Sequence, residues 1–255
     1  MTATDWTLGR KCGGGLVCAV MALLLGGCVT ASMHREKGND LRKQGDLVLA
    51  LDEFEQSVAK DPTSYRSQYW LGRTYNDLGR PLDAQLPLEK ALELRRFGES
   101  ETEAILDELA RSYFEQKAFG ELFAFLEAEA EARGRSVDYI RLASFMVRAG
   151  DVDQAAVAYQ KAAFFAEADD AGPYLELASF YESVNDRPKA VLALRNALFV
   201  DPDSEEVAAR LRSHGLVPGP TLKLRPAKPL LKSPEGTPPP ARLAAPTTAP
   251  ATQPE

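Results

Sequence analysis

Cysteine and histidine are scarce in this sequence of 255 residues. The three cysteines, Cys12, Cys18 and Cys28, all lie near the N-terminus, and the two histidines, His34 and His214, lie far apart in the chain. Disulfide frameworks and structural zinc sites both require several such residues within the folded region. The scarcity therefore predicts no metal site and no cofactor. It also disfavours an enzyme, because a histidine-assisted nucleophile has little to work with.

The sequence also lacks a long hydrophobic run and an excess of basic residues. Residues 13–25, GGGLVCAVMALLL, would span about 20 Å as a helix, whereas the hydrocarbon core of a bilayer is about 30 Å thick. A transmembrane anchor is therefore the weaker of two interpretations of this run. The formal net charge of −7 disfavours a general nucleic-acid-binding protein.

The N-terminus has the three parts of a secretory signal: a positive flank at Arg10 and Lys11, the apolar run, and small residues before a cleavage point. The run ends in Leu25-Gly26-Gly27-Cys28, which resembles the lipobox of bacterial lipoproteins. The resemblance implies a signal peptide over residues 1–27, acylation (palmitate) of Cys28 and a lipidated linker over 28–34. Val29, rather than Asp, resembles the outer-membrane class that faces the periplasm. The alternative is an unrelated cysteine at the end of an ordinary signal.

Residues of the same kind recur 34 positions apart in the remainder of the chain. Gly38 pairs with Gly72, Gly45 with Gly79, and similar copies begin at Leu109, Leu142 and Leu177. This pattern resembles the tetratricopeptide repeat (TPR), a helix–turn–helix unit of 34 residues. The resemblance implies an all-α fold, a right-handed α-solenoid of about five hairpins over residues 35–214. No stretch has the alternation expected of a strand.

The turn positions carry further predictions. Gly45, Gly79 and Gly150 fall where the first helix of a unit ends and are expected to be left-handed. Asp46 and Asp151 follow as N-terminal hydrogen-bond acceptors for the next helix. The third unit lies about four residues late and has a lysine, Lys117, at its turn, which makes its packing doubtful.

The end of the chain has a different composition. A helix that caps the solenoid is predicted after Ser204 and ends at Gly215. Beyond it, 11 of the 17 prolines fall within residues 215–255, which predicts a disordered, proline-rich tail. The tail holds five basic and two acidic residues, so a basic tail follows an acidic body.

The resemblance to TPR proteins implies a groove lined by the first helices of the units. Carried over residue by residue, the predicted peptide-binding positions are Arg35, Asn39, Arg42, Arg66, Tyr69, Arg73, Asn76, Ile140, Val147 and Leu175. The groove runs from basic to apolar, so an acidic and then apolar peptide is the expected ligand. For each single arginine, an ordinary solvated surface residue is an equally good interpretation.

These features predict a lipid-anchored adaptor or scaffold that binds envelope proteins and assists assembly of an envelope complex. A type IV pilus biogenesis lipoprotein is one alternative. A structural tether whose basic tail binds an anionic cell-wall polymer is another, and the tail could instead fold back on the acidic body.

Overall fold

A computed structural model describes residues 15–95 and 99–226, with side chains from residue 30 onward in the first helix and from residue 101 in the fifth. This part of the chain is all-α and contains no strand, which confirms the predicted fold class. The helices are α1 (Gly15–Gln44), α2 (Leu47–Lys60), α3 (Tyr65–Asp77), α4 (Pro81–Leu94), α5 (Glu99–Glu115), α6 (Phe119–Arg133), α7 (Ser136–Ala149), α8 (Val152–Phe164), α9 (Gly172–Ser183), α10 (Arg187–Val200) and α11 (Glu205–Ser213), followed by a short 3-10 helix at Pro220–Leu222.

The first helix of each hairpin ends in the same way. Gly45, Gly79 and Gly150 are left-handed, with φ of 90°, 69° and 88°, as predicted. Lys117 and Asn185 occupy the corresponding turns with φ of 59° and 58°. At each turn the next residue donates its N–H to a carbonyl five residues back, for example Arg80 to Tyr75 at 2.9 Å. This is the Schellman arrangement, which satisfies carbonyls that the helix end leaves unpaired.

Side-chain caps begin several of the helices. Asp151 accepts from the N–H of Gln154 at 3.2 Å, so this predicted acceptor is confirmed. Ser204, which precedes the predicted capping helix, accepts from the N–H of Val207 at 3.4 Å. Asp46 makes no such bond, and the expectation for it was wrong. Ser64 caps α3, a cap that the repeat pattern did not indicate.

The chain divides into two compact units, Met1–Ala124 and Phe125–Glu255. In the first unit, α1 packs on α2, α3 on α4, and α4 on α5. Glycines allow the closest approaches: a Cβ on Gly38 would lie 2.8 Å from the Phe54 ring, and one on Gly72 would lie 2.5 Å from Leu88. Phe54 is fully buried and anchors a cluster with Ala50, Leu51 and Leu71.

In the second unit, α7 packs on α8, α9 on α10, and α10 on α11. The helix α11 is the predicted capping helix. Its Arg210 donates to Glu182 Oε2 at 2.8 Å and to Ser179 Oγ at 3.1 Å, both on α9, and His214 Nε2 lies 2.8 Å from Glu182 Oε1. These bonds hold α11 against α9, so that α11 covers the end of the last hairpin.

The ends of the chain differ from expectation where the structure describes them. Residues 28–34, the predicted linker, lie inside α1; Ala31 is buried and its carbonyl accepts from Ser57 Oγ at 2.7 Å. His34 Nδ1 lies 2.7 Å from Glu53 Oε2, so this residue packs against α2. Residues 216–226, assigned to the tail, pack on α10. The signal before residue 15 and the tail beyond residue 226 lie outside the described residues.

Candidate functional site

The first helices of three successive hairpins, α1, α3 and α5, lie side by side in the first compact unit. The middle helix, α3, contacts both α1 and α5. Their shared face carries arginines and acids in alternation. Arg42 Nη2 lies 2.7 Å from Asp77 Oδ2, Arg111 Nη1 lies 3.0 Å from Asp77 Oδ1, and Arg73 Nε lies 3.2 Å from Glu108 Oε1. We call this set the ion-pair row. Three helices are thereby joined by charge-assisted contacts, so the row stabilises the face as well as displaying it.

Two aromatic rings occupy the centre of the row. The guanidinium groups of Arg42 and Arg73 lie 5.4 Å and 5.3 Å from the centre of the Trp70 ring. Tyr69 packs edge-on against Trp70 with 5.2 Å between ring centres, and its hydroxyl accepts from Arg73 Nη1 at 3.0 Å. Cation–π contacts of this kind hold both arginines in place.

The ionisation of Asp77 follows from its surroundings. Burial alone would raise the pKa of Asp77, but hydrogen bonds from Arg42 and Arg111 outweigh burial and hold that pKa below its usual value. Burial raises the pKa of Tyr69, so its phenol stays protonated at neutral pH. Asp77 is therefore held as a carboxylate by the two arginines at neutral pH.

Asn76 is the most buried of the predicted groove residues, at 1% exposed. Its amide nitrogen donates to the Glu108 carbonyl at 2.9 Å and to Glu108 Oε2 at 3.1 Å. Its carbonyl oxygen, Oδ1, has no hydrogen-bond partner among the residues that the structure describes. A buried acceptor without a donor costs free energy, so this oxygen is an unsatisfied polar atom beneath the face.

Two of the predicted arginines, Arg35 and Arg66, lie outside the ion-pair row. The Arg66 side chain is 58% exposed, 3.6 Å from Glu101 Oε1, and stacks on the Tyr65 ring at 5.5 Å. Arg35 and Asn39 are half-buried on α1, and within the described ranges Arg35 has no ion pair. Among the predicted arginines, Arg66 has the most exposed side chain and Arg35 makes no ion pair within the described ranges, so these two are the more available to a partner.

The predicted apolar positions lie in the second unit. Ile140 packs against the cluster of Ala130, Tyr139 and Ala162, so it contributes to the core. Val147 is 39% exposed on α7. Leu175 is half-buried on α9, and its carbonyl accepts from Arg210 at 3.4 Å. Cys28 lies in the part of α1 whose side chains are not described.

The ion pairs of this row were not predicted from the sequence, although a signal for them exists. Arg42 and Asp77 are 35 residues apart, and Asp77 and Arg111 are 34 apart. In a repeat of 34 residues, such offsets place side chains next to each other on adjacent first helices. Searching for opposite charges one repeat apart would have found these pairs. Trp70 was missed because it was not among the groove positions carried over from the family.

No helix within the described ranges is both long and apolar enough to span a bilayer.

Fold and face together define an all-helical protein built from repeated helical hairpins. We found no protein-family model and no curated protein that matches the chain by sequence. Among solved structures, YrrB, described as a TPR protein with an unusual peptide-binding site, has 16% identity over 71% of this chain and 90% of its own, with a TM-score of 0.42. MamA has 22% identity over 75% of this chain and 98% of its own, with a TM-score of 0.48. Pseudomonas aeruginosa PilF has 16% identity over 74% of this chain and 86% of its own, with a TM-score of 0.49.

Proposed function

We propose that this protein is a lipid-anchored TPR adaptor that binds proteins or peptides of the bacterial envelope and helps to assemble an envelope complex. The observation that carries the proposal is the shared face of α1, α3 and α5. On this face, Tyr69 and Trp70 lie next to guanidinium groups that ion pairs hold in place. Such a face recognises an extended or helical segment through planar stacking and charge-assisted hydrogen bonds.

The ion pairs within the chain support a choice of binding position for an acidic part of the ligand. Arg42 and Arg73 are neutralised by Asp77 and Glu108, so the acidic part of a ligand is proposed to bind at Arg35 and Arg66. In the second unit, Val147 and Leu175 are proposed as a separate contact for apolar side chains. Ile140 is a less suitable contact because it packs against the core.

A charge-reversal experiment tests the acidic-ligand proposal. Arg35→Glu with Arg66→Glu is expected to abolish capture of partners by chemical crosslinking in native membranes, followed by mass spectrometry. Lys60→Glu, an exposed position at the end of α2, is the matched control and should leave capture unchanged. Reversing Arg73 is a poorer test, because a glutamate there would face Glu108 and disturb the fold. Undiminished capture by the double variant would exclude this face as the binding site.

The anchor is tested separately. Cys28→Ser is expected to abolish incorporation of a palmitate analogue and to release the protein from the membrane fraction. A chain that stays membrane-bound and unlabelled in both forms would argue against acylation. Fractionation of inner and outer membranes then tests the proposed outer-membrane location.

The basic tail favours a second candidate function, a tether to an anionic cell-wall polymer. Residues 216–226 pack on α10, so the informative deletion removes residues 227–255 only. Loss of wall association with retained partner capture would support the tether. Assembly of a type IV pilus is one of the envelope roles that crosslinking partners would reveal.

A further inference from the structure

The chain turns back on itself after α11. Gly215 is left-handed, with φ of 76°, and the Leu216 N–H donates to the Leu211 carbonyl at 3.0 Å. Beyond this turn the backbone runs along α10: Arg195 Nε donates to the Leu222 carbonyl at 2.9 Å, and the Leu224 N–H donates to the Arg195 carbonyl at 3.2 Å. We call residues 216–226 the strap. Two bonds to one residue fix its course on the helix surface.

The strap ends at the edge of a cleft of about 380 Å³. This volume lies within the range of pockets that hold a ligand or a short peptide. The cleft is lined by Glu167, Ala168, Tyr174, Phe199, Val200, Arg225 and Pro226. Phe199 is 43% exposed, so the described residues leave part of an aromatic ring uncovered there. An apolar segment that lay on this ring would remove it from water.

The acidic residues beside the cleft favour a basic segment as its occupant. The connection between α8 and α9 reads EADDAG, and its Glu167, Asp169 and Asp170 are exposed. The chain beyond Pro226 reads AKPLLKSP, with two leucines between Lys228 and Lys232. An apolar pair flanked by lysines therefore begins four residues after Pro226, which lines a cleft that contains both an exposed aromatic ring and the acid Glu167.

We propose that residues 227–234 continue the strap across this cleft, with Leu230 and Leu231 against Phe199 and with Lys228 and Lys232 facing the acidic connection. Leu230 is four residues beyond Pro226, a reach of about 12 Å at about 3.1 Å per residue in the extended conformation that proline favours. Pro229 needs no N–H partner in such a path. A short tether also gives the segment an effective concentration in the millimolar range, which favours it over any free competitor.

The contact secures the α8–α9 connection and the end of α10, and it determines where the remaining tail leaves the folded part. The inference does not depend on the identity of the adaptor's partners. It concerns an intramolecular contact between a segment of known sequence and a cleft in the same unit.

A site-specific crosslink tests the contact in the full chain purified in detergent. Benzoylphenylalanine in place of Leu231 is expected to crosslink to peptides that contain Tyr174 or Phe199. The yield should be at least five-fold above that of the same probe in place of Thr247. Lys228→Glu with Lys232→Glu should reduce the yield several-fold, whereas Arg242→Glu, the matched reversal further along the tail, should not. Equal yields from the two probe positions would overturn the proposal.

Two further measurements test whether the contact forms within one chain and whether it protects the residues around the cleft. In a mixture of ¹⁵N-labelled and unlabelled chains, crosslinks within one chain support the proposal, whereas crosslinks between the two would show that a second copy covers the cleft. Hydrogen exchange of residues 167–176 should be several-fold faster in a chain that ends at Pro226 than in the full chain. Unchanged exchange there would also overturn the proposal; amides of α3 serve as the internal reference.

Discussion

Lys117 is a lysine in a left-handed conformation that five helix ends within the described residues give to glycine. Its φ is 59°, and it follows α5 as Gly45, Gly79, Gly134, Gly150 and Gly215 follow their helices. A residue with a Cβ loses about 1–2 kcal/mol in the left-handed region. Glycine avoids that cost but loses about 0.5–1 kcal/mol more conformational entropy on folding. Lys117→Gly should therefore stabilise the fold by about 0.5–1 kcal/mol.

The side chain itself should not complicate the result, because Lys117 is exposed and its backbone N–H bonds to the Phe114 carbonyl at 3.0 Å whatever the residue. For a chain of this size the change corresponds to a rise in Tm of about 1–4 °C. Thermal and urea unfolding followed by circular dichroism measures it. Lys117→Ala, which removes the same side chain but keeps Cβ, is the control and should not raise the midpoint. A lower midpoint for Lys117→Gly than for the unchanged chain would refute the conformational argument.

Two further predictions concern packing and pH. Gly72→Ala should destabilise the fold by about 1–3 kcal/mol in urea unfolding, because its Cβ would lie 2.5 Å from Leu88 and 3.0 Å from a backbone carbonyl. Gly120→Ala, a helical glycine with nothing within 4 Å of the added Cβ, should instead be neutral or stabilising by up to about 1 kcal/mol, and a loss at both sites would contradict the explanation. The lowered pKa of Asp77 stabilises the fold above its unfolded pKa of about 3.9, and this contribution is lost as pH falls through the folded pKa. Asp77→Asn should therefore flatten the fall in urea midpoint between pH 6 and 3, unlike Asp52→Asn at an exposed position; equal pH profiles would refute it.

The hairpin repeat was predictable because its determinants are local and recur. Small residues at Gly38 and Gly72, left-handed turns at Gly45 and Gly79, and apolar spacing each act within one unit, so their period is visible in the sequence. The register of the third repeat was harder to recognise in the sequence, because a lysine, Lys117, occupies the left-handed turn position where the other repeats have glycine or asparagine. Nothing in a lysine indicates positive φ, and the surrounding hydrogen bonds impose it.

The candidate site was only partly predictable. The positions of Arg42 and Arg73 on first helices follow from the period, but their neutralisation depends on acids contributed by the next helix. A template applied to one repeat at a time does not pair Arg42 with Asp77 and leaves out Glu108, so it overstates the positive charge of the face. The strap was also missed, because composition alone does not indicate that Arg195 holds the backbone of a proline-rich segment.

Trp70 lies close to two guanidinium groups, so its intrinsic fluorescence can report on this face of the protein. The chain has two tryptophans, Trp6 and Trp70, and the first lies within the proposed signal peptide. A processed chain would then contain one indole, at the centre of the proposed recognition face. Its fluorescence emission would respond directly to an occupant of that face, so titrations would need no added dye and no labelled peptide.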